Sequence, residues 1–176
     1  MKDEKSESTK EKIINAALQV FAEEDFFKAS IDEICKRAGV SKGIVFWHFK
    51  SKDNLILEIA KRSLPLDIME NCLSKEDNVL QCIGNDFLEK YKDDNMRKLF
   101  LHTISAMSVY LEIGEEIRKI CDTTVRKISV KIFKNDNYEN IIKIRSFMGG
   151  LICNVINPLD ISKEKYIESL ITTIFK

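Results

Sequence analysis

Two helix starts crowded around a single glycine constrain this chain more than any other feature. Ser30-Ile31-Asp32-Glu33 fits a capping box, in which a serine hydroxyl accepts the backbone N–H three residues on and a glutamate reaches back. Ile31, Ile34, Cys35 and Ala38 follow at helical spacing, and Gly39 stands where a left-handed cap ends such a helix. Only Val40 separates that glycine from Ser41, a second helix start, and Ser51 opens a further helix. A helix from about Thr9 to Glu24, with Ile13, Ala17, Val20 and Phe21 on one face, precedes the pair. Two capped helices joined by so tight a turn, braced by a third, make a helix-turn-helix, which holds its second helix clear of the body. A plain helical corner has the same turn, so the turn alone does not decide function.

The short helix that begins at Ser41 does more. Val40, Val45 and Phe49 are expected to face inward, which turns Lys42, Gly43, Ile44, Trp47 and His48 outward. An edge that is aromatic, basic and glycine-bearing suits a surface pressed into a nucleic-acid groove better than one facing only water. Phe46 reads equally well as core. From Lys28 to Arg62 there are eight Lys/Arg against four Asp/Glu, although the whole chain balances 28 against 28. Any attraction to phosphate is therefore local.

Proline and glycine are scarce, at two and six residues, which favours an all-α chain. Residues 1–8 are charged and polar, expected as a disordered tail without signal-peptide character. The most apolar stretch, Phe147 to Ile156, is interrupted by Asn154, so no membrane partner and a cytoplasmic location are expected. Cys35, Cys72, Cys82, Cys121 and Cys153 lack any C-x-x-C spacing, and two histidines add little for a metal. These cysteines are expected as reduced structural thiols, with no metal site. No P-loop or dinucleotide fingerprint is present, so no cofactor and no enzymatic activity are expected.

Beyond Ser51, helical patterning predicts segments near 51–73, 76–92, 95–111, 115–134, 138–157 and 162–175, about nine helices in all. Pro65 falls inside the first of these and should kink or end it, as a hinge between the N-terminal helices and those that follow. The last two segments carry apolar stripes: Ile141, Ile144, Met148, Ile152 and Val155, then Ile167, Leu170, Ile171 and Ile174. Paired across two chains they would form a four-helix dimer bundle; alternatively they face only their own core. Gly149-Gly150 inside the stripe suggests close helix approach or a cavity wall. Phe87, Tyr91, Phe100, Ile104, Met107, Cys121, Thr124 and Phe147, with His102 as a polar group, could line an apolar pocket or be plain core.

The run Ile31-Asp32-Glu33-Ile34, then Ala38-Gly39-Val40-Ser41-Lys42-Gly43-Ile44-Val45-Phe46-Trp47-His48-Phe49-Lys50-Ser51-Lys52, resembles the DNA-binding domain of TetR-family regulators, and Ile13 to Phe21 resembles that family's first helix. The resemblance covers about residues 9–59. It implies an N-terminal three-helix DNA-binding domain over 9–55 and a helical effector-binding and dimerisation domain over 56–176. It implies that Lys42, Gly43 and Ile44 reach base edges, that Trp47 and His48 lie along the groove wall, and that Lys52, Ser30, Ser41 and Thr9 meet phosphates. The family usually carries a tyrosine where this chain has Phe46, whose ring cannot donate to a phosphate; that forgoes about 1 kcal/mol. The function implied is a homodimeric repressor on palindromic double-stranded DNA, released by a small apolar or aromatic effector. A DNA-binding factor controlled by a protein partner, or by no small molecule, is the alternative.

Overall fold

The computed structural model describes residues 2–175, with side chains from Ser8 onward. Its described residues form ten helices and no strand. They divide into two compact units, residues 1–64 with 98–115, and residues 65–97 with 116–176.

In the first unit, α1 (Lys2–Glu23) supplies the inner wall. Ile13, Ile14, Ala17, Val20 and Phe21 are buried, as their spacing predicts. The tail expected as disordered over residues 1–8 is instead helical from Lys2, because α1 continues through these charged residues, whose Lys and Glu favour helix. α2 (Ile31–Ala38) and α3 (Lys42–Phe49) pack on this wall, and α4 (Lys52–Ser63) closes the group with Leu55, Ile56 and Ile59 fully buried. The caps follow the sequence logic. Ser30 Oγ accepts from Glu33 N at 3.1 Å, and Ser51 Oγ accepts from Asn54 N at 3.1 Å. Gly39 adopts φ 67°, ψ 35°, the left-handed conformation that glycine enters without steric cost. Glu33 does not complete the box; its carboxylate takes Arg37 Nε at 2.9 Å instead.

Residues 98–115 also belong to this unit, which moves the division away from the expected boundary at residue 55/56. The reason is visible in the side chains. His102 Nδ1 lies 2.8 Å from the carbonyl of Phe21, and the buried hydroxyls of Thr103 and Ser63 bond at 2.8 Å. Tyr110 stacks on Phe27, with ring centroids 5.2 Å apart. Such tertiary pairings leave no trace in local periodicity.

Pro65 ends the fourth helix rather than kinking it, which is why ten helices stand where about nine were expected. Leu64 takes the extended backbone that a residue before proline prefers, with ψ 156°, and α5 (Leu66–Leu73) starts afresh.

The second unit is built on α5, α6 (Val79–Lys90), α9 (Tyr138–Ile156) and α10 (Lys163–Phe175). Between them in the chain run α7 (Asp94–Ala106) and α8 (Leu111–Phe133), each crossing from one unit to the other. Ile83, Phe87, Ile144, Phe147, Leu151 and Ile167 are fully buried here. Close approach of α6 to α10 rests on Gly84, where a Cβ would meet Ile167 Cγ2 at 2.8 Å. Gly150 does the same for α9 and α10, since a Cβ there would meet Leu170 Cδ1 at 2.7 Å. Tyr166 donates to the carbonyl of Gly150 at 2.6 Å across that contact. Gly149, by contrast, faces open space.

One expectation about the cysteines is overturned. Cys72 and Cys82 form a disulfide, while Cys35, Cys121 and Cys153 are free. Their spacing carries no signal because the pairing is tertiary: packing of α5 against α6 brings the two Cα atoms to 5.7 Å.

Candidate nucleic-acid interface

α3 is anchored from one side and bare on the other. Val45 and Phe49 are buried, holding the helix against α1 and α4. Lys42 and Gly43 are exposed, Ile44 is 40% exposed and Trp47 64%. His48 and Phe46 are half-buried, and so is Val40, which was expected to face fully inward. The Trp47 and His48 rings meet edge to face at 4.6 Å. Leaving an indole this open costs apolar burial that no neighbour in the chain recovers.

Gly43 tells the same story from the backbone. A Cβ there would find only Ser41 Oγ, at 3.9 Å. Nothing within the fold demands a glycine at this place, so its effect is to bare the outer backbone of the helix's first turn. Ser41 starts the helix without spending its hydroxyl on a cap. A helix N-terminus with open N–H groups and a free hydroxyl suits phosphate.

The cations here are held by the fold. Lys42 Nζ lies 3.0 Å from Asp32 of α2. Lys52 Nζ donates to the carbonyl of Phe27 at 3.4 Å, and Lys50 Nζ to that of Trp47 at 3.1 Å. Arg37 joins α1 to α2 by gripping both carboxylate oxygens of Glu23, at 2.7 and 2.6 Å. That hydrogen-bonded pairing holds the Glu23 carboxyl below its ordinary range. Thr9 lies inside α1 rather than at its start, because the helix runs from Lys2. It therefore has no helix-terminal N–H to offer, only its hydroxyl.

Residues 13–59 match the sequence model of the family described as bacterial regulatory proteins, tetR family. That N-terminal segment is a TetR-family DNA-binding segment. Among curated relatives, the HTH-type transcriptional regulator SrpR of Pseudomonas putida is 39% identical over 64 residues, covering 36% of this chain and 30% of SrpR. The HTH-type regulator AcrR of Shigella flexneri is 30% identical over 107 residues, covering 57% of this chain and 50% of AcrR. These matches span half or less of the relatives' own length. Among solved structures, Salmonella enterica GusR superposes with a TM-score of 0.73 at 18% identity, over 95% of this chain and 93% of GusR. A SmeT–triclosan complex superposes with a TM-score of 0.68 at 18% identity, over 94% of this chain and 91% of that one. At such identities the structures establish the TetR-like fold alone.

The residues expected to line a pocket are divided between the two units. Phe100, His102, Ile104 and Met107 lie in the first unit; Phe87, Tyr91, Cys121, Thr124 and Phe147 lie in the second. Phe87 and Phe147 are fully buried core, and Ile104 and Cys121 are exposed. Thr124 lines a groove of the second unit with Leu66, Met69, Leu73, Glu116 and Ile120. The expected dimer stripes are divided too. Ile141, Ile144 and Ile167 are buried in their own unit, while Met148, Ile152, Val155, Leu170, Ile171 and Ile174 are half-buried. The open apolar face of α9 is a neighbouring one, formed by Tyr138, Ile142 and Ile156, exposed by 83, 61 and 60%. Periodicity shows that a face is covered; it does not show by what.

Proposed function

We propose that this chain is a TetR-family, sequence-specific, DNA-binding transcriptional regulator that works as a homodimer on a palindromic operator. The observation that carries this reading is the outward edge of α3, where Lys42, Gly43, Ile44 and Trp47 stand together on a firmly anchored helix. In the major groove Lys42 would donate to guanine O6 or N7, worth ~1–3 kcal/mol of discrimination, and Ile44 would touch a thymine methyl. The backbone at Gly43 would approach the DNA, with Trp47 and His48 along the wall. Ser41, Ser30, Lys52 and the Thr9 hydroxyl would meet phosphates and fix register.

Regulation is read as repression relieved by a small apolar or aromatic effector in the second unit, as the triclosan held by SmeT suggests. Pro65, the first residue of that unit, would be the hinge; Pro65→Ala should then weaken effector-dependent release, and unchanged release would remove this role. A dimer built on α9 and α10 would set two recognition helices one DNA turn apart, ~34–36 Å. Selection of bound duplexes from a random-sequence pool tests the main reading. An inverted repeat with half-sites about one turn apart is expected; recovery of unrelated sequences would overturn it.

A further inference from the structure

The disulfide of the second unit has an unusual neighbour. Cys72 ends the buried face of α5, Cys82 lies in the first turns of α6, and Asp86 follows one turn later on the same face. Asp86 Oδ2 stands 3.8 Å from Cys72 Sγ and 3.7 Å from Cys82 Sγ. A disulfide has no proton to give that carboxylate. Two thiols have one each, and both sulfurs are already within donor range. The carboxylate therefore favours the dithiol over the bridge, through charge-assisted S–H···O bonds that exist only after reduction.

The helices also stay together without the bond. Ile68 and Met69 of α5 and Ile83 and Phe87 of α6 are buried, and Lys90 Nζ pairs with Asp67 at 2.7 Å across the same two helices. The cysteines are only ten positions apart, so the bridge closes a short loop and constrains the unfolded chain modestly. Access exists as well. Asp86 lines a surface groove with Asp67, Ile68, Asn71, Glu89 and Lys90, and Cys82 retains 8% exposure where Cys72 has none.

We propose that Cys72 and Cys82 are a reversible thiol-exchange site, opened and closed by a low-molecular-weight thiol–disulfide couple, with Asp86 as the group that favours the reduced pair. In reduction, a small thiolate attacks the Cys82 sulfur and the Cys72–Cys82 bond breaks. Cys72 leaves as a thiolate and takes a proton. A second small thiol attacks the mixed disulfide on Cys82, releasing the oxidised couple and a second protein thiol. Two electrons pass from two small thiols to the bridge, and their two protons end on Cys72 and Cys82. This site goes beyond the DNA-binding reading and does not depend on it.

The test is equilibration of the full-length protein in glutathione buffers of graded reduced-to-oxidised ratio, followed by acid quenching, alkylation and peptide mass spectrometry at both cysteines. Both sites should pass from blocked to alkylated together, with a midpoint inside the series. Asp86→Ala should shift that midpoint about fivefold toward more reducing buffer, and Asp86→Asn, which keeps a neutral acceptor, should shift it less in the same direction. Circular dichroism checks that both variants are folded. A bridge that stays closed or open at every ratio overturns the proposal, and so does a midpoint that neither Asp86 variant moves.

Discussion

Lys42, in the first turn of α3, is tied to Asp32 of α2 by a 3.0 Å ion pair, so the residue assigned to a base edge is already engaged by the protein. Both side chains are more than half exposed, at 54 and 76%. An exposed pair of this kind is worth a fraction of a kcal/mol, and binding DNA must break it. Asp32→Asn should therefore raise operator affinity about threefold, with most of the gain at low salt. Fluorescence anisotropy on the selected duplex measures it; an equal or weaker affinity would show that Asp32 positions Lys42 rather than competes for it.

Lys50 closes α3 in a conformation that suits glycine better, with φ 65° and ψ −42°. Ser51 N donates to Phe49 O at 2.7 Å across it, a tight γ-turn of the strained, positive-φ kind. Lys50→Gly should stabilise the fold by about 1 kcal/mol, the strain relieved exceeding the added entropy of the unfolded chain. Thermal unfolding checks the sign. A lower melting temperature would mean that the lysine's bond to the carbonyl of Trp47 outweighs the strain.

These two residues show what was legible beforehand and what was not. The caps at Ser30 and Ser51, the left-handed Gly39 and the bare edge of α3 follow from local spacing, because each is decided within one or two turns of chain. The Asp32–Lys42 pair, the return of residues 98–115 to the first unit and the Cys72–Cys82 bridge are decided between elements. Nothing in a helical period encodes which helix meets which. The stripe through Ile141 and Ile144 was legible as buried; only the packing shows that its cover is intramolecular.

Gly84 is needed for packing. Adding a Cβ puts it 2.8 Å from Ile167 Cγ2 and 3.1 Å from Cγ1, and Ile167 is fully buried with nowhere to move. Gly84→Ala should destabilise the protein by about 1 kcal/mol, overpacking exceeding the gain in helix propensity. Ile167→Ala, which removes both Cγ atoms, should cost less in the Gly84→Ala chain than it does alone. Urea denaturation of the single and double variants gives the coupling, and strictly additive effects would refute the clash.

On α9, Ile142 and Ile156 lie on one exposed side with Tyr138. If that side joins two copies of the chain, Ile142→Glu should convert a dimer to a monomer, because a carboxylate buried at an apolar interface costs several kcal/mol. Analytical ultracentrifugation reads this directly. A wild-type monomer would refute the dimer, and a dimer indifferent to the substitution would place the contact elsewhere.

The central claim is that the first turn of α3 reads bases. Affinities of wild type and Lys42→Ala should be compared on the selected operator and on duplexes changed at each position in turn. The variant should lose about tenfold on the preferred sequence and stop distinguishing one base pair in each half-site, while its other preferences persist. A Lys42→Ala protein that discriminates every position as the wild type does would contradict the account.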